Sequence, residues 1–426
     1  MRTLAAILLL ATTAAAQQGI NLAEAEQYFA DAQQVCNADA GKLWGVSLCG
    51  PLLFADQASR MVVASQADAE GKLQKQGRLF VGSLPPEVGI ANTGMDWARV
   101  RWTMLRWPLP AAEVARKRLL AHEMFHRIQP QLGMAMSNPA NAHLDSLEGR
   151  IWLQMEYRAL QTALTSDGEA RSRAIADALL FRKKRQAGSA AAAADENALE
   201  LNEGTAEYTG IALRGPSPAE NRAYIAERLK TNQGQSAYAR SFAYTTGPAW
   251  GLLLDEIASG WRTRLIKAGS FAALVPAAMQ PKGDDSAEQR AAAYDYAPLR
   301  AAEEKRAKER EALLAAYRRK FVDGPVLVIP VVDNFSFGFD PLGAETLENA
   351  GTVYRSFNAS DSWGVLDAPG GALMVRNDKG LFTQVILPAP VSAAHSKGEG
   401  WELKLAAGWK LVPGKRAGDF TVARGE

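Results

Sequence analysis

Apolar positions recur along this chain with two different periods, and the switch between them divides it. Asn21 to Gln34 carries apolar side chains at helical spacing and predicts an amphipathic helix. Leu43 to Leu48, Leu52 to Asp56 and Met61 to Ala64 are short apolar runs between Gly, Pro and polar residues, the pattern of a meandering sheet. Arg78 to Val81 and Gly89 to Asn92 are expected to extend it. Asp96 to Trp107 alternates Trp97, Arg99, Arg101, Thr103 and Leu105 against Ala98, Val100, Trp102, Met104 and Arg106, which predicts one strand with a basic face. Pro108 and Pro110 end that strand. Ala111 to Gln129 then runs to Pro130 without an internal Pro or Gly, as a helix does.

Helical spacing continues through Leu147 to Leu164, Ala170 to Arg185, Ala198 to Leu213, Ser217 to Leu229 and Gly247 to Ser259, with the alanine run Ala190 to Ala194 as loop or helix extension. Leu299 to Lys320 alternates charges and reads as a solvated linking helix. Beyond Asp323 the texture becomes β-like, in Pro325 to Val332, Thr352 to Phe357, Gly371 to Val375, Leu381 to Leu387, Trp401 to Leu405, Trp409 to Val412 and Asp419 to Ala423. The expected fold class is α+β. A sheet-rich part (40–107) and a helical part (111–322) make one domain over 17–322, and an all-β domain follows over 323–426.

Composition narrows the range of partners. The chain has 426 residues, 47% hydrophobic and 22% charged, enough for two or three domains with real cores. Lys plus Arg (48) nearly cancel Asp plus Glu (46), so no overall field recruits nucleic acid or anionic lipid. The opening MRTLAAILLLATTAAAQQ has Arg2, an apolar core from Leu4 to Ala11, and Ala14-Ala15-Ala16 before Gln17. That predicts a signal peptide over 1–16 and a mature protein exported to the periplasm or beyond, without a transmembrane segment. In an oxidising compartment Cys36 and Cys49 are expected to pair as a disulfide; two buried free thiols are the alternative.

The chemistry is concentrated at His122-Glu123-Met124-Phe125-His126. On a helix, two histidines four positions apart share one face and can ligate a single Zn²⁺. Glu123 projects beside them, where a general base for metal-activated water is needed. A third ligand must come from elsewhere. His143 lies in a polar loop and reads as a capping or surface residue, and His395 lies in an exposed loop of the β domain.

Asn202-Glu203-Gly204-Thr205-Ala206-Glu207, downstream of H-E-x-x-H, resembles the second motif of the gluzincin metallopeptidases, the group of thermolysin-like and aminopeptidase-N-like enzymes. The resemblance implies Glu203 as third zinc ligand, and Glu207 as the carboxylate that holds a zinc-bound histidine through its other ring nitrogen. The spacing departs from the pattern. His126 and Glu203 are 77 positions apart, and many relatives have about one third of that. A helical insertion, Leu147 to Asp195, has to fit between, and Asp145, Glu148 and Glu156 compete for the ligand position.

Tyr244-Thr245-Thr246-Gly247 is similar to the Tyr-x-x-Gly that supplies an oxyanion-stabilising phenol in the aminopeptidase-N-like enzymes, with Tyr208 and Tyr238 as competitors. Gly94-Met95-Asp96 is similar to the loop that lays substrate along the sheet edge and holds its free amine. Here Asp96 is shorter than the usual Glu and Trp97 replaces an Asn; a plain turn is the simpler reading. The resemblance therefore implies an exported zinc peptidase acting on peptides or proteins, as an endo- or aminopeptidase. Two other readings share these residues. One is an inactive, zinc-bearing binding protein whose β domain recruits a partner; the other is a zinc hydrolase acting on non-peptide or cell-envelope material.

Overall fold

The computed structural model describes residues 19–282, 286–339 and 344–425, so the expected signal peptide lies outside the described residues. The fold is α+β. The chain forms two compact units, Met1–Arg300 and Ala301–Glu426, which part within the helix Tyr296–Arg318. No helix among the described residues is long and apolar enough to cross a membrane.

The first unit opens with helix α1 (Leu22–Asp39), whose free N–H groups at Ala23 and Glu24 are taken by the Asn21 side chain. Six strands follow: β1 (Leu52–Asp56), β2 (Met61–Ala64), β3 (Gln74–Gln76), β4 (Leu79–Ser83), β5 (Thr93–Trp97) and β6 (Val100–Trp107). They form one sheet in the order β3-β4-β2-β1-β6-β5, antiparallel except for the β1–β6 pair.

Three expectations change here. Leu43 to Leu48 and Gly89 to Asn92 form turns and irregular segments. Asp96 to Trp107 is two strands, because the chain reverses at Ala98 and Arg99, both at positive φ (49° and 59°). A hairpin of this kind normally announces itself with Asn or Gly, which this one lacks. Nor does β6 have a basic face. Trp102 and Met104 pack into a small cluster with Leu53 and Val62, while Leu105 enters the main core, so the strand is covered on both sides.

After β6, helix α2 (Glu113–Ile128) lies against β5 and β6, and every residue from Leu120 to Ile128 is buried. The helical part continues with α3 (Leu147–Thr165), α4 (Gly168–Gln186), α5 (Ala192–Leu199), α6 (Thr205–Leu213), α7 (Pro218–Thr231) and α8 (Ala243–Ile257). The expected insertion is the α3–α4 hairpin, and buried charges hold it together. Arg182 forks onto Glu200 (2.7 Å twice) and Arg185 onto Glu196 (2.8 and 2.7 Å), and both also reach Glu156. Between α5 and α6 the helix does not stop. It widens into one π-helical turn, Glu200–Gly204, a device that re-aims side chains and is frequent at functional sites.

The second unit is all-β beyond the helix: a seven-stranded and a five-stranded sheet stacked face to face. Leu327, Ile329, Met374 and Val385 from one sheet meet Phe357, Leu366, Trp401 and Leu403 from the other. The strands Ser336–Phe339, Ala344–Leu347, Phe357–Asp361 and Gly364–Ala368 add to those the sequence predicted. They are short and polar on the outer face, so their apolar runs fall below the length that marks a strand.

Candidate metal centre

His122 and His126 stand one turn apart on α2 with their Nε2 atoms 3.2 Å from each other. Glu203, from the π-helical turn, brings its Oε2 to 3.5 Å from His122 Nε2 and 3.4 Å from His126 Nε2. Two nitrogens and one oxygen thus form a nearly equilateral triangle. Donors bound to zinc at about 2.0–2.1 Å in tetrahedral geometry stand about 3.3 Å apart, so the donor set fits one such ion without rearrangement. Glu123 lies alongside, its carboxylate 3.9 Å from His122 Nε2, and its Oε2 is buried with no hydrogen-bond partner among the described residues.

The outer ring nitrogens fix the tautomers. His122 Nδ1 donates to Glu207 Oε2 (3.1 Å), and Glu207 Oε1 accepts from both Arg118 and Arg228 at 2.5 Å. His126 Nδ1 donates to Gln129 Oε1 (2.8 Å). That amide is oriented by its own donations, to Ala135 O and Asn202 Oδ1. Asn202 in turn donates to Ser137 O (3.1 Å) and to Glu203 Oε1 (3.3 Å), joining Glu203 to the network. With both Nδ1 atoms turned to these acceptors, both Nε2 atoms point at the same spot.

The electrostatics show that this spot favours a positive charge. Burial alone would lower the His122 imidazolium, but Glu203, Glu207 and Glu123 overcome it and raise the group to about 10. Burial pushes Glu203 and Glu207 upward, yet their hydrogen bonds to histidine leave both well below the ordinary carboxylate range. Glu123 goes the other way: burial raises it more than His122 and His126 lower it, and Glu203 and Glu207 add to the push.

Three glycines let the elements come this close. A Cβ on Gly94 would stand 2.9 Å from the His126 carbonyl oxygen, so strand β5 touches α2 beside His126. Gly204 and Gly247 meet backbone to backbone, with 2.3 Å between a Cβ on Gly247 and the Gly204 Cα. That contact draws α8 onto the π-helical turn. Tyr244, in the first turn of α8, donates to Glu203 Oε2 at 2.6 Å and lies parallel to the His122 ring (centroids 5.7 Å apart). Burial and the Glu203 carboxylate push its phenol far up, so it keeps its proton and acts as a donor.

His122, Glu123, His126, Glu203, Glu207 and Tyr244 are thus brought together, on one side of a cleft of about 560 Å³. Asp96 is not with them. It is exposed, ion-paired with Arg101 (2.8 Å), and the cleft is lined by Ala91, Asn92 and Thr93 rather than by Met95 or Asp96. The competing residues are engaged elsewhere. Asp145 accepts from the Tyr238 amide, Glu148 from Trp152, and Glu156 from Arg182 and Trp250. Tyr208 bonds Asp255, and Tyr238 packs edge-on against Tyr157. His143 bonds Glu196 at 2.8 Å, away from the triangle, and His395 is exposed.

Sequence reasoning missed Gln129, Asn202, Arg118 and Arg228. Two carried a signal: Arg118 and Gln129 lie one helical turn before His122 and after His126, on the metal-facing stripe. Arg228 arrives from α7 and has none. Cys36 and Cys49 form the expected disulfide, and Arg127, next to His126, donates to the carbonyls of Leu48 and Cys49. No protein-family model matches the chain, and neither a curated protein nor a solved structure matches it.

Proposed function

We propose that this chain is a zinc-dependent metallopeptidase of gluzincin type, hydrolysing peptide bonds with Glu123 as general base. The observation that carries the reading is the donor triangle of His122 Nε2, His126 Nε2 and Glu203 Oε2, whose edges of 3.2, 3.4 and 3.5 Å suit one tetrahedral zinc. When bound, the metal supplies Lewis acidity toward a water and a scissile carbonyl. Glu123 takes the proton from that water at its unpartnered Oε2 and delivers it to the nitrogen of the leaving amine. Tyr244 offers its hydroxyl hydrogen to the oxygen that becomes negative, turning from Glu203 to do so. Glu207 and Gln129 keep both histidines in the tautomer that presents Nε2. The Cys36–Cys49 disulfide supports work in an oxidising, exported setting.

A digest of a peptide library with and without chelator, run beside Glu123→Gln, tests this. Chelator-sensitive cleavage by wild type and none by Glu123→Gln is expected. Undiminished cleavage by Glu123→Gln would refute the role of the base. Zinc uptake without any cleavage would favour a peptidase-like binding protein or a non-peptide hydrolase.

A further inference from the structure

The cleft contains charges the proposed mechanism does not use, and their balance bears on the substrate. Among the lining residues Glu123, Glu203 and Glu207 are acidic and Arg118 and Arg240 basic. The acids are all committed. Glu203 belongs to the ligand triangle, Glu207 is paired with Arg118 and Arg228, and Glu123 serves as base. Asp96, the candidate for holding a free amine, lies outside the cleft and is paired with Arg101. No carboxylate of the cleft is left for the ammonium group of a peptide N-terminus.

Arg240 is in the opposite position. It has no carboxylate within ion-pair distance among the described residues. It is exposed at the cleft wall, just ahead of α8, in the same lining as Tyr244. The other guanidinium in the lining, Arg118, is neutralised on Glu207. A planar fork with free donors, in the same cleft lining as Tyr244, is suited to a carboxylate and has nothing to offer an amine.

Resting on the peptidase reading, we infer that Arg240 is a specificity residue which binds a substrate carboxylate in this cleft. The site therefore prefers peptides that bring a carboxylate to Arg240, from a free C-terminus or an acidic side chain, over peptides that bring only an ammonium group. Both sources present the same group, so peptides must be varied at each.

The test uses zinc-loaded Glu123→Gln protein, in which binding can be read by calorimetry without turnover, and four short peptides. Two differ only as C-terminal acid or amide, and two blocked ones only as Asp or Asn after the cleavage position. An acid or Asp peptide is expected to bind about tenfold tighter than its neutral twin, the size of one charge-assisted contact. Adding Arg240→Ala should abolish that preference, while Arg240→Lys restores part of it. The pair that shows the preference identifies which carboxylate is recognised. Equal affinity within both pairs, a preference that survives Arg240→Ala, or no binding of any peptide would overturn the assignment. The same peptides given to the Glu123 protein separate the two claims. Cleavage without acid preference would leave the peptidase reading standing and remove Arg240 from it. Acid-selective, Arg240-dependent binding without cleavage would do the reverse.

Discussion

Gly204 and Gly247 touch through their backbones, and this contact brings Tyr244 to 2.6 Å from Glu203. A methyl group at Gly247 has nowhere to go, since it meets Gly204 Cα at 2.3 Å and no flexible side chain can yield. Gly247→Ala should cost about 1–3 kcal/mol by forcing α8 off the π-helical turn. Thermal unfolding should show a lower Tm, with zinc affinity reduced in the same protein because Glu203 rides on that turn. An unchanged Tm would mean that the helices are not held at this distance.

The two histidines are supported differently, His122 by a carboxylate and His126 by an amide. Gln129→Ala removes the acceptor that fixes the His126 tautomer, and it also frees Asn202. Zinc affinity, read by competition with a chelator, should fall about 10–100-fold, and Gln129→Glu should recover most of it. Equal affinity in Gln129→Ala would show that the amide merely fills space.

Acid should loosen the packing of α4 on α5 through Glu196. Burial raises this carboxyl, but Arg185 and His143 more than compensate and hold it far below the ordinary range. A group depressed in the folded state contributes stability that is complete above its unfolded pKa, about 4.3, and is lost as pH falls toward the folded value. Wild type should therefore exceed Glu196→Gln in denaturant resistance at pH 7. The gap should close as the pH drops below about 4. A gap that widens in acid would give the linkage the wrong sign.

The sequence displayed the metal helix plainly, because H-E-x-x-H between two prolines needs only local geometry, and α2 runs where the pattern puts it. Glu203 was legible only through resemblance. Its approach depends on a π-helical turn and on a glycine contact with α8, which no periodicity reports. The α3–α4 hairpin between the motifs was readable as helices, whereas its buried core of Arg182, Arg185, Glu156, Glu196 and Glu200 was not. Charged residues at helical spacing look the same whether they face water or each other. The β5–β6 hairpin was hidden for a different reason: Ala98 and Arg99 adopt a turn that normally selects Asn or Gly. What no pattern could supply was the set of long-range partners, Arg228 on Glu207 and Tyr244 on Glu203.

The most direct measurement is the metal content and zinc affinity of purified wild type beside His126→Ala and Glu203→Ala. Wild type should hold one zinc per chain through extensive dialysis, and each variant should lose it, with Glu203→Ala still folded. A wild-type protein that takes up no zinc, or a Glu203→Ala variant that binds it as tightly as wild type, would contradict the two-histidine, one-carboxylate site.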